Sequence, residues 1–116
     1  MSSRTWKLRV RDILIAIESI RQRTSGLTYE AFSKNETLVD SILYKYVVIG
    51  EAARQIPEEI QKLAPDVPWR LMNDIRNVIA HEYFQVRLDI VWQGIHEELP
   101  LLVEPLQHLL ESEAED

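Results

Sequence analysis

Apolar residues recur at steps of three and four along most of this chain, and that spacing restricts what it can fold into. A helix that buries one face needs such steps, whereas a half-buried strand needs strict alternation, which the sequence lacks. The chain is therefore predicted to be an all-α bundle. The first stripe ends before Gly26 and comprises Trp6, Val10, Ile13, Leu14, Ile17 and Ile20.

Polar cap residues predict where the next helices begin. Thr28 is placed to cap a short turn whose Tyr29 and Phe32 pack inward. Asn35 or Thr37 then opens a second long helix.

Small residues and prolines shape the middle of the chain. Gly50 in a helix interior costs about 1 kcal/mol relative to Ala. Together with Ala52 and Ala53, however, it would let another backbone approach closely. Pro57 breaks this helix, and Pro68 is placed to start the next one.

A final helical stripe runs from Leu88 to Leu109, and Pro100 is expected to kink it because proline removes a backbone hydrogen bond. Residues 111–116 are expected to fray. The predicted architecture is one domain, residues 1–116, with two long antiparallel helices, a motif-bearing helix and a Pro-kinked C-terminal helix.

Composition and charge exclude several classes of protein. The 116 residues contain no Cys, so disulfides and thiolate metal sites are excluded. No apolar run is long enough for a membrane span and no signal-peptide pattern opens the chain, so the cytoplasm is the expected location.

The net charge of −6 is unevenly distributed. Residues 1–23 carry six basic and two acidic residues, whereas residues 97–116 carry seven acidic residues and no Lys or Arg. A local basic face is therefore available for an anionic partner. The alternative is that these are two solvated ends of opposite sign.

Residues 69–84, WRLMNDIRNVIAHEYF, contain four polar side chains with chemical capability: Arg76, Asn77, His81 and Tyr83. On a regular helix Arg76 and His81, five positions apart, point about 140° away from each other. For the four to converge, the helix must end near His81, or the site must borrow groups from a second chain.

These residue types suit metal-free cleavage of RNA. His81, His96 and His108 are too dispersed along the chain to form a metal site within one helix. A 2′-hydroxyl attacks its neighbouring phosphate when one group removes its proton and another protonates the 5′-oxygen. Histidine can serve in either role, and Arg presents a fork of donors to phosphate oxygens. Because one chain offers one His in this stretch, a symmetric dimer would supply both base and acid.

The segment RNVIAHEYF, preceded by IGEAARQIPEEIQKLAPDVPWRLMNDI and followed by the W...ELP run, resembles the HepT-like ribonucleases of the HEPN superfamily. The resemblance covers residues 7–110. Such proteins are toxins of type VII toxin–antitoxin systems, encoded beside a minimal nucleotidyltransferase antitoxin called MntA. The resemblance implies a HEPN-like helical bundle that forms a symmetric dimer, with both motif copies lining one cleft.

The resemblance also implies roles for the four polar residues. Arg76 and His81 would be the catalytic pair of a metal-independent endoribonuclease, with Asn77 as a polar assistant. Tyr83 matches the tyrosine to which the antitoxin transfers AMP from ATP. The implied partners are RNA, a second copy of the chain and an MntA-like nucleotidyltransferase, and no cofactor is implied for the chain itself.

Two other interpretations stay open. In one, the chain is a non-catalytic helical dimer that acts as a binding or regulatory partner of a nucleotidyltransferase, and Arg76 and His81 bind nucleotide or brace the interface. In the other, it is a structural dimer whose central polar residues only satisfy buried backbone ends. Cleavage of RNA by the purified chain separates the nuclease from both.

Overall fold

The computed structural model describes residues 3–112, with side chains from Trp6 onward, and within this range every regular element is helical. The α-helices are α1 (Ser3–Thr24), α2 (Tyr29–Ser33), α3 (Glu36–Arg54), α4 (Glu58–Gln61), α5 (Trp69–His81), α6 (Leu88–Glu97) and α7 (Leu99–Glu111). A 3₁₀ turn, Tyr83–Gln85, connects α5 to α6. The all-α prediction is confirmed. Of the segment predicted to fray, residues 113–116 lie outside the described range.

Helix starts follow the predicted caps. The Thr28 hydroxyl accepts a hydrogen bond from the Ala31 N–H at 3.1 Å, which satisfies a free donor at the start of α2. The Asn35 side chain accepts one from the Leu38 N–H at 3.0 Å. Asn35, rather than the alternative Thr37, is therefore the N-cap of α3.

Helix α3 lies at the centre of the bundle and packs against α1 and α5, while α7 covers α1 and α6. The core is mainly aliphatic, and each fully buried aliphatic side chain contributes about 1.5–3 kcal/mol relative to exposure. Its most buried members include Trp6, Val10, Ile13, Ile17 and Ile20 from α1, Phe32 from α2, Ile42, Leu43 and Ile49 from α3, and Leu106 from α7. None of the described helices is long and apolar enough to cross a membrane.

The predicted close approach at Gly50 occurs between α3 and α5. A Cβ atom at Gly50 would lie 2.2 Å from the Arg76 Cβ and 2.8 Å from the Met72 carbonyl oxygen. Near the other end of α3, Asp40 contacts Tyr83, just past the end of α5. The two helices therefore run antiparallel, with Arg76 of α5 lying against α3.

The connector between α3 and α5 is fixed by side-chain hydrogen bonds to backbone oxygens. The Trp69 indole N–H is shared between the carbonyls of Gln61, at 3.2 Å, and Ala64, at 3.1 Å. The Gln61 amide donates in turn to the carbonyls of Ala53 and Ile56. The first residue of α5 is thereby tied to the last turn of α3.

The C-terminal stripe departs from the expected form, because the predicted kink is a complete break. Helix α6 ends at Glu97, and Glu98 separates it from α7, which begins at Leu99. Pro100 lies in the first turn of α7, where its missing N–H would have no intrahelical acceptor. The proline therefore starts a new helix.

The aromatic pair of the short α2 segment was expected to pack inward, and only Phe32 does so fully. Phe32 is completely buried and lies 5.1 Å from the Trp92 ring, measured between centroids. Tyr29 meets the edge of Trp92 at 6.2 Å but is 40% exposed.

Candidate active site

Helix α5 ends at His81, which is one of the two conditions given above for the motif residues to converge. The Glu82 N–H still donates to the Val78 carbonyl at 2.8 Å, but the Glu82 backbone (φ −135°, ψ 43°) leaves the helical region. The chain then enters the 3₁₀ turn Tyr83–Gln85. Tyr83 is therefore no longer on the helical face that regular periodicity would have given it.

Arg76 is held between α3 and α5. Its Nε lies 2.6 Å from Oε1 of Glu51, and its side chain is 24% exposed. The Nε–H bond is not aligned on the carboxylate and makes no hydrogen bond, so this contact is an ion pair. The Arg76 Nη1 donates to Oδ1 of Asn77 at 3.0 Å. Two neighbours therefore fix the guanidinium, which stays partly exposed.

The Glu51 carboxylate also contacts Arg54, whose Nη1 lies 3.4 Å from the same oxygen. One carboxylate thus faces two guanidinium groups, of which Arg54 is the more exposed. These three side chains together carry one net positive charge, which favours an anionic ligand beside Arg76 in the middle of α5.

His81 is exposed in the last turn of α5, so its ring is accessible to a large substrate. Five helical positions correspond to about 7.5 Å along the axis and about 140° around it from Arg76. Among the described residues, no hydrogen bond or ion pair joins His81 to Arg76 or Asn77. One chain therefore brings Arg76 and Asn77 together but leaves His81 apart.

Tyr83 is bound to α3 through its hydroxyl, which donates a hydrogen bond to the Asp40 carboxylate. The ring is 36% exposed. Partial burial, then this hydrogen bond, and then the negative charges of Asp40 and Glu36 raise the pKa of Tyr83 to about 12. Its hydroxyl therefore stays protonated at neutral pH.

Sequence reasoning missed both carboxylates, Asp40 and Glu51, that the structure places against the motif. They lie eleven positions apart on α3, close to three full turns, and so share a face. Their spacing could have shown from the sequence that the two carboxylates share a face of α3. It could not have shown that this face packs against α5.

Beside the polar residues lies an apolar depression, named here the α5–α6 groove. Its volume is about 330 Å³, and Leu71, Ile75 and Val78 of α5 and Ile90 and Val91 of α6 line most of it. Leu71, Val78 and Ile90 are substantially exposed. Contiguous exposed apolar surface of this kind marks interaction sites on soluble proteins.

Metal-ligating side chains are not clustered among the side chains that the structure describes, residues 6–112. No three His, Asp or Glu side chains there lie close enough together to hold a metal ion.

These features define an all-α protein that carries a fixed arginine and an exposed histidine on one helix. In general an arginine can bind a phosphate group and a histidine can transfer a proton. The family model described as "Ribonuclease HepT-like" matches residues 13–109. The chain belongs to the HepT-like ribonuclease family. The match confirms the prediction from the sequence that the chain is a HepT-like ribonuclease.

Two curated relatives illustrate the similarity. A candidate RNase of Caldanaerobacter subterraneus subsp. tengcongensis is 32% identical over 101 residues, which is 87% of this chain and 90% of the relative. A protein of Thermococcus cleftensis named "Probable ribonuclease HepT" is 32% identical over 99 residues, 85% of this chain and 90% of that protein. No solved structure gave a significant match to the chain.

Proposed function

We propose that this chain is a metal-independent endoribonuclease toxin of the HepT/MntA type, with Arg76 and His81 as its catalytic pair and Asn77 as an assisting residue. The observation that carries the proposal is the fixed Arg76, held by Glu51 and Asn77, on the helix whose last residue is the exposed His81. Membership in a family of ribonucleases supports RNA as the substrate.

The chemistry follows from these groups. One imidazole takes the proton of the attacking 2′-hydroxyl, and a second gives a proton to the departing 5′-oxygen. The guanidinium of Arg76 stabilises the charge that accumulates on the phosphorane. Asn77 accepts from Arg76 and limits its rotation. Each proton-transfer role contributes roughly 10²- to 10⁴-fold in rate.

A symmetric dimer would complete the site, because each chain contributes one His81 and points it away from its own Arg76. The α5–α6 groove supports this arrangement, since its apolar lining belongs in part to the helix that carries the motif. A two-fold axis beside this groove would place the two copies of α5 next to each other. The proposed cleft then holds two arginines and two histidines.

The proposal includes silencing at Tyr83 by an MntA-like nucleotidyltransferase, which would use ATP and leave AMP on the phenol. The added phosphate would introduce negative charge and bulk two residues from His81. Both effects would oppose the entry of an RNA phosphate into the cleft.

The proposal is tested with purified chain and total RNA in the presence of a chelator. We expect the parent to cleave RNA and His81→Ala to be at least about 10²-fold slower, because it loses both proton-transfer roles. His96→Ala is the matched control, since His96 is also exposed but lies on α6 with its ring against the Trp92 carbonyl. Equal cleavage by parent and His81→Ala would overturn the catalytic assignment.

A second candidate function is a non-catalytic partner of a nucleotidyltransferase. The Glu51–Arg76 ion pair favours it, because a guanidinium already paired with a carboxylate is less available to a substrate phosphate. A parent chain that binds such an enzyme yet cleaves no RNA in the same assay would support this function.

A further inference from the structure

We propose that Asp40 is the general base for the modification of Tyr83, so that the acceptor chain supplies a catalytic residue to its own silencing. This inference rests on the proposed function, in which Tyr83 receives AMP. It goes further by assigning a proton acceptor to a residue outside the motif.

The geometry places the acceptor where the reaction needs it. The Tyr83 hydroxyl donates directly to a carboxylate oxygen of Asp40, so the proton that must leave already points at its acceptor. Asp40 is part of the long helix α3, whereas Tyr83 lies in a short 3₁₀ turn. The base thus belongs to the longer of the two elements, which packs against both α1 and α5.

A base is needed because this phenol does not ionise readily. Burial and the adjacent negative charges raise the pKa of Tyr83 to about 12, so a preformed tyrosinate is scarce near neutral pH. Attack on a phosphate must therefore be accompanied by removal of the proton. A hydrogen-bonded carboxylate performs that step without requiring the free anion.

The step balances as a nucleotidyl transfer. The Tyr83 oxygen forms a bond to the α-phosphorus of ATP, and the bond from that phosphorus to the α,β-bridging oxygen breaks. Pyrophosphate leaves with the electron pair, and the phenolic proton passes to Asp40. The transferring enzyme and its ATP are supplied in trans, and no oxidant or reductant is needed.

Glu36 is the natural comparison for Asp40. It lies one turn earlier on α3 and acts on Tyr83 only through its charge, without a hydrogen bond to the hydroxyl. If the acidic surface acted only through its charge, neutralising either residue would change the rate of AMP transfer to Tyr83. If Asp40 is the base, only the neutralisation of Asp40 would slow the transfer.

The first experiment measures AMP transfer from ATP to the intact chain by a purified MntA-like minimal nucleotidyltransferase. The variants are Asp40→Asn, which keeps the shape but cannot take the proton, Asp40→Glu, and Glu36→Gln. We expect transfer to fall about 10²-fold in Asp40→Asn, to be partly restored in Asp40→Glu, and to match the parent in Glu36→Gln. The far-ultraviolet circular dichroism spectrum of Asp40→Asn should match that of the parent, which shows that the fold is intact.

A second experiment removes the transferring enzyme altogether. A small aryl sulfonyl fluoride reacts with phenols whose proton is accepted during attack, and peptide mass spectrometry reads each tyrosine separately. Tyr29, exposed to a similar degree as Tyr83 (40% against 36%), is the internal reference. We expect the labelling of Tyr83 relative to Tyr29 to fall several-fold in Asp40→Asn, although loss of the carboxylate also lowers the pKa of Tyr83. A rise in labelling, which the lowered pKa alone would produce, would overturn the role of Asp40. Glu36→Gln should leave the labelling unchanged.

The outcomes distinguish a wrong role for Asp40 from a wrong proposal that Tyr83 is modified. Modification of the parent and Asp40→Asn at equal rates, or equal labelling of Tyr83 in both, would overturn the role of Asp40 and leave the proposed function standing. Absence of AMP from Tyr83 of the parent, with Tyr83→Phe as the blank, would overturn silencing at this residue and the base with it.

Discussion

At the scale of single residues, the contact between Glu51 and Arg76 has the clearest consequence for catalysis. A long arginine side chain loses orientation easily, and an ion pair at 2.6 Å limits that freedom. The pair is partly exposed, so its contribution to folding is small. Its expected role is to hold the Arg76 guanidinium in one orientation.

Glu51→Gln should therefore lower kcat more than it raises KM, by up to about 10²-fold, because a misplacement near 1 Å is enough for such a loss. Steady-state cleavage of a fluorescent RNA by the purified variant measures this split. Glu58→Gln, which removes an exposed carboxylate of α4 paired with Lys62, is the control. Unchanged kinetics in Glu51→Gln would show that Asn77 alone orients Arg76.

The phenol of Tyr83 provides a pH prediction. Its pKa in the folded chain is raised to about 12, above the ordinary value near 10. The stabilisation from its hydrogen bond should be fully present below about pH 10 and be lost as the pH rises towards 12. Tyrosinate absorbance in the parent minus that in Tyr83→Phe isolates this titration, and Asp40→Asn should move it towards 10. A Tyr83 midpoint near 10 in the parent would contradict the assignment.

At the scale of elements, helix starts were the most predictable feature. Thr28, Asn35 and Pro68 act within their own turn, so a local sequence contains what is needed to place them. Gly50 was also readable, because a small residue in a helical stripe signals a close neighbour. Which helix would approach it was not, since that contact joins residues more than twenty positions apart.

Other features depend on tertiary packing and could not be read from spacing. The contacts Asp40–Tyr83 and Glu51–Arg76 exist because α3 and α5 are antiparallel, and no local pattern states that direction. The break at Glu98 has a similar origin. A continuous apolar stripe is equally compatible with one kinked helix and with two packed helices. The position of α7 depends on its contacts with α1.

Gly50→Ala tests the α3–α5 contact. The new methyl group would collide with Arg76 Cβ and a backbone oxygen of Met72, neither of which can move without shifting α5. We expect a loss of about 1–3 kcal/mol in the free energy of unfolding, despite the better helix propensity of Ala. Urea denaturation followed by circular dichroism measures it.

Gly94→Ala is the matched control for that experiment. Its nearest neighbour would be the flexible Glu98 carboxylate, at 3.1 Å, which can move aside. We therefore expect Gly94→Ala to be neutral or slightly stabilising. Equal stability of the Gly50 and Gly94 variants would mean that the two helices are not in close contact.

At the scale of the whole molecule, the proposed dimer decides whether the site is complete. The α5–α6 groove is the surface on which we expect the second copy to pack. Ile90→Asp places a charge in that groove at an exposed position, so the subunit should still fold. We expect a shift from dimer to monomer in sedimentation velocity and a parallel loss of RNA cleavage.

Ile15→Asp provides the comparison, because Ile15 is also an exposed isoleucine but lies on α1. This variant should keep both the dimer and the cleavage activity. If Ile90→Asp remained dimeric with full activity, the second copy would have to pack on another face.

The pairing of Arg76 with Glu51 also bears on how RNA binding should respond to ionic strength. A free arginine that meets a phosphate releases condensed counterions from the nucleic acid, and each such contact steepens the dependence of affinity on salt by about 0.7 in log–log slope for a single strand. Arg76 already has a carboxylate as its own counterion. A phosphate that reaches it exchanges one anionic neighbour for another, so this arginine should add less than one full contact to the slope.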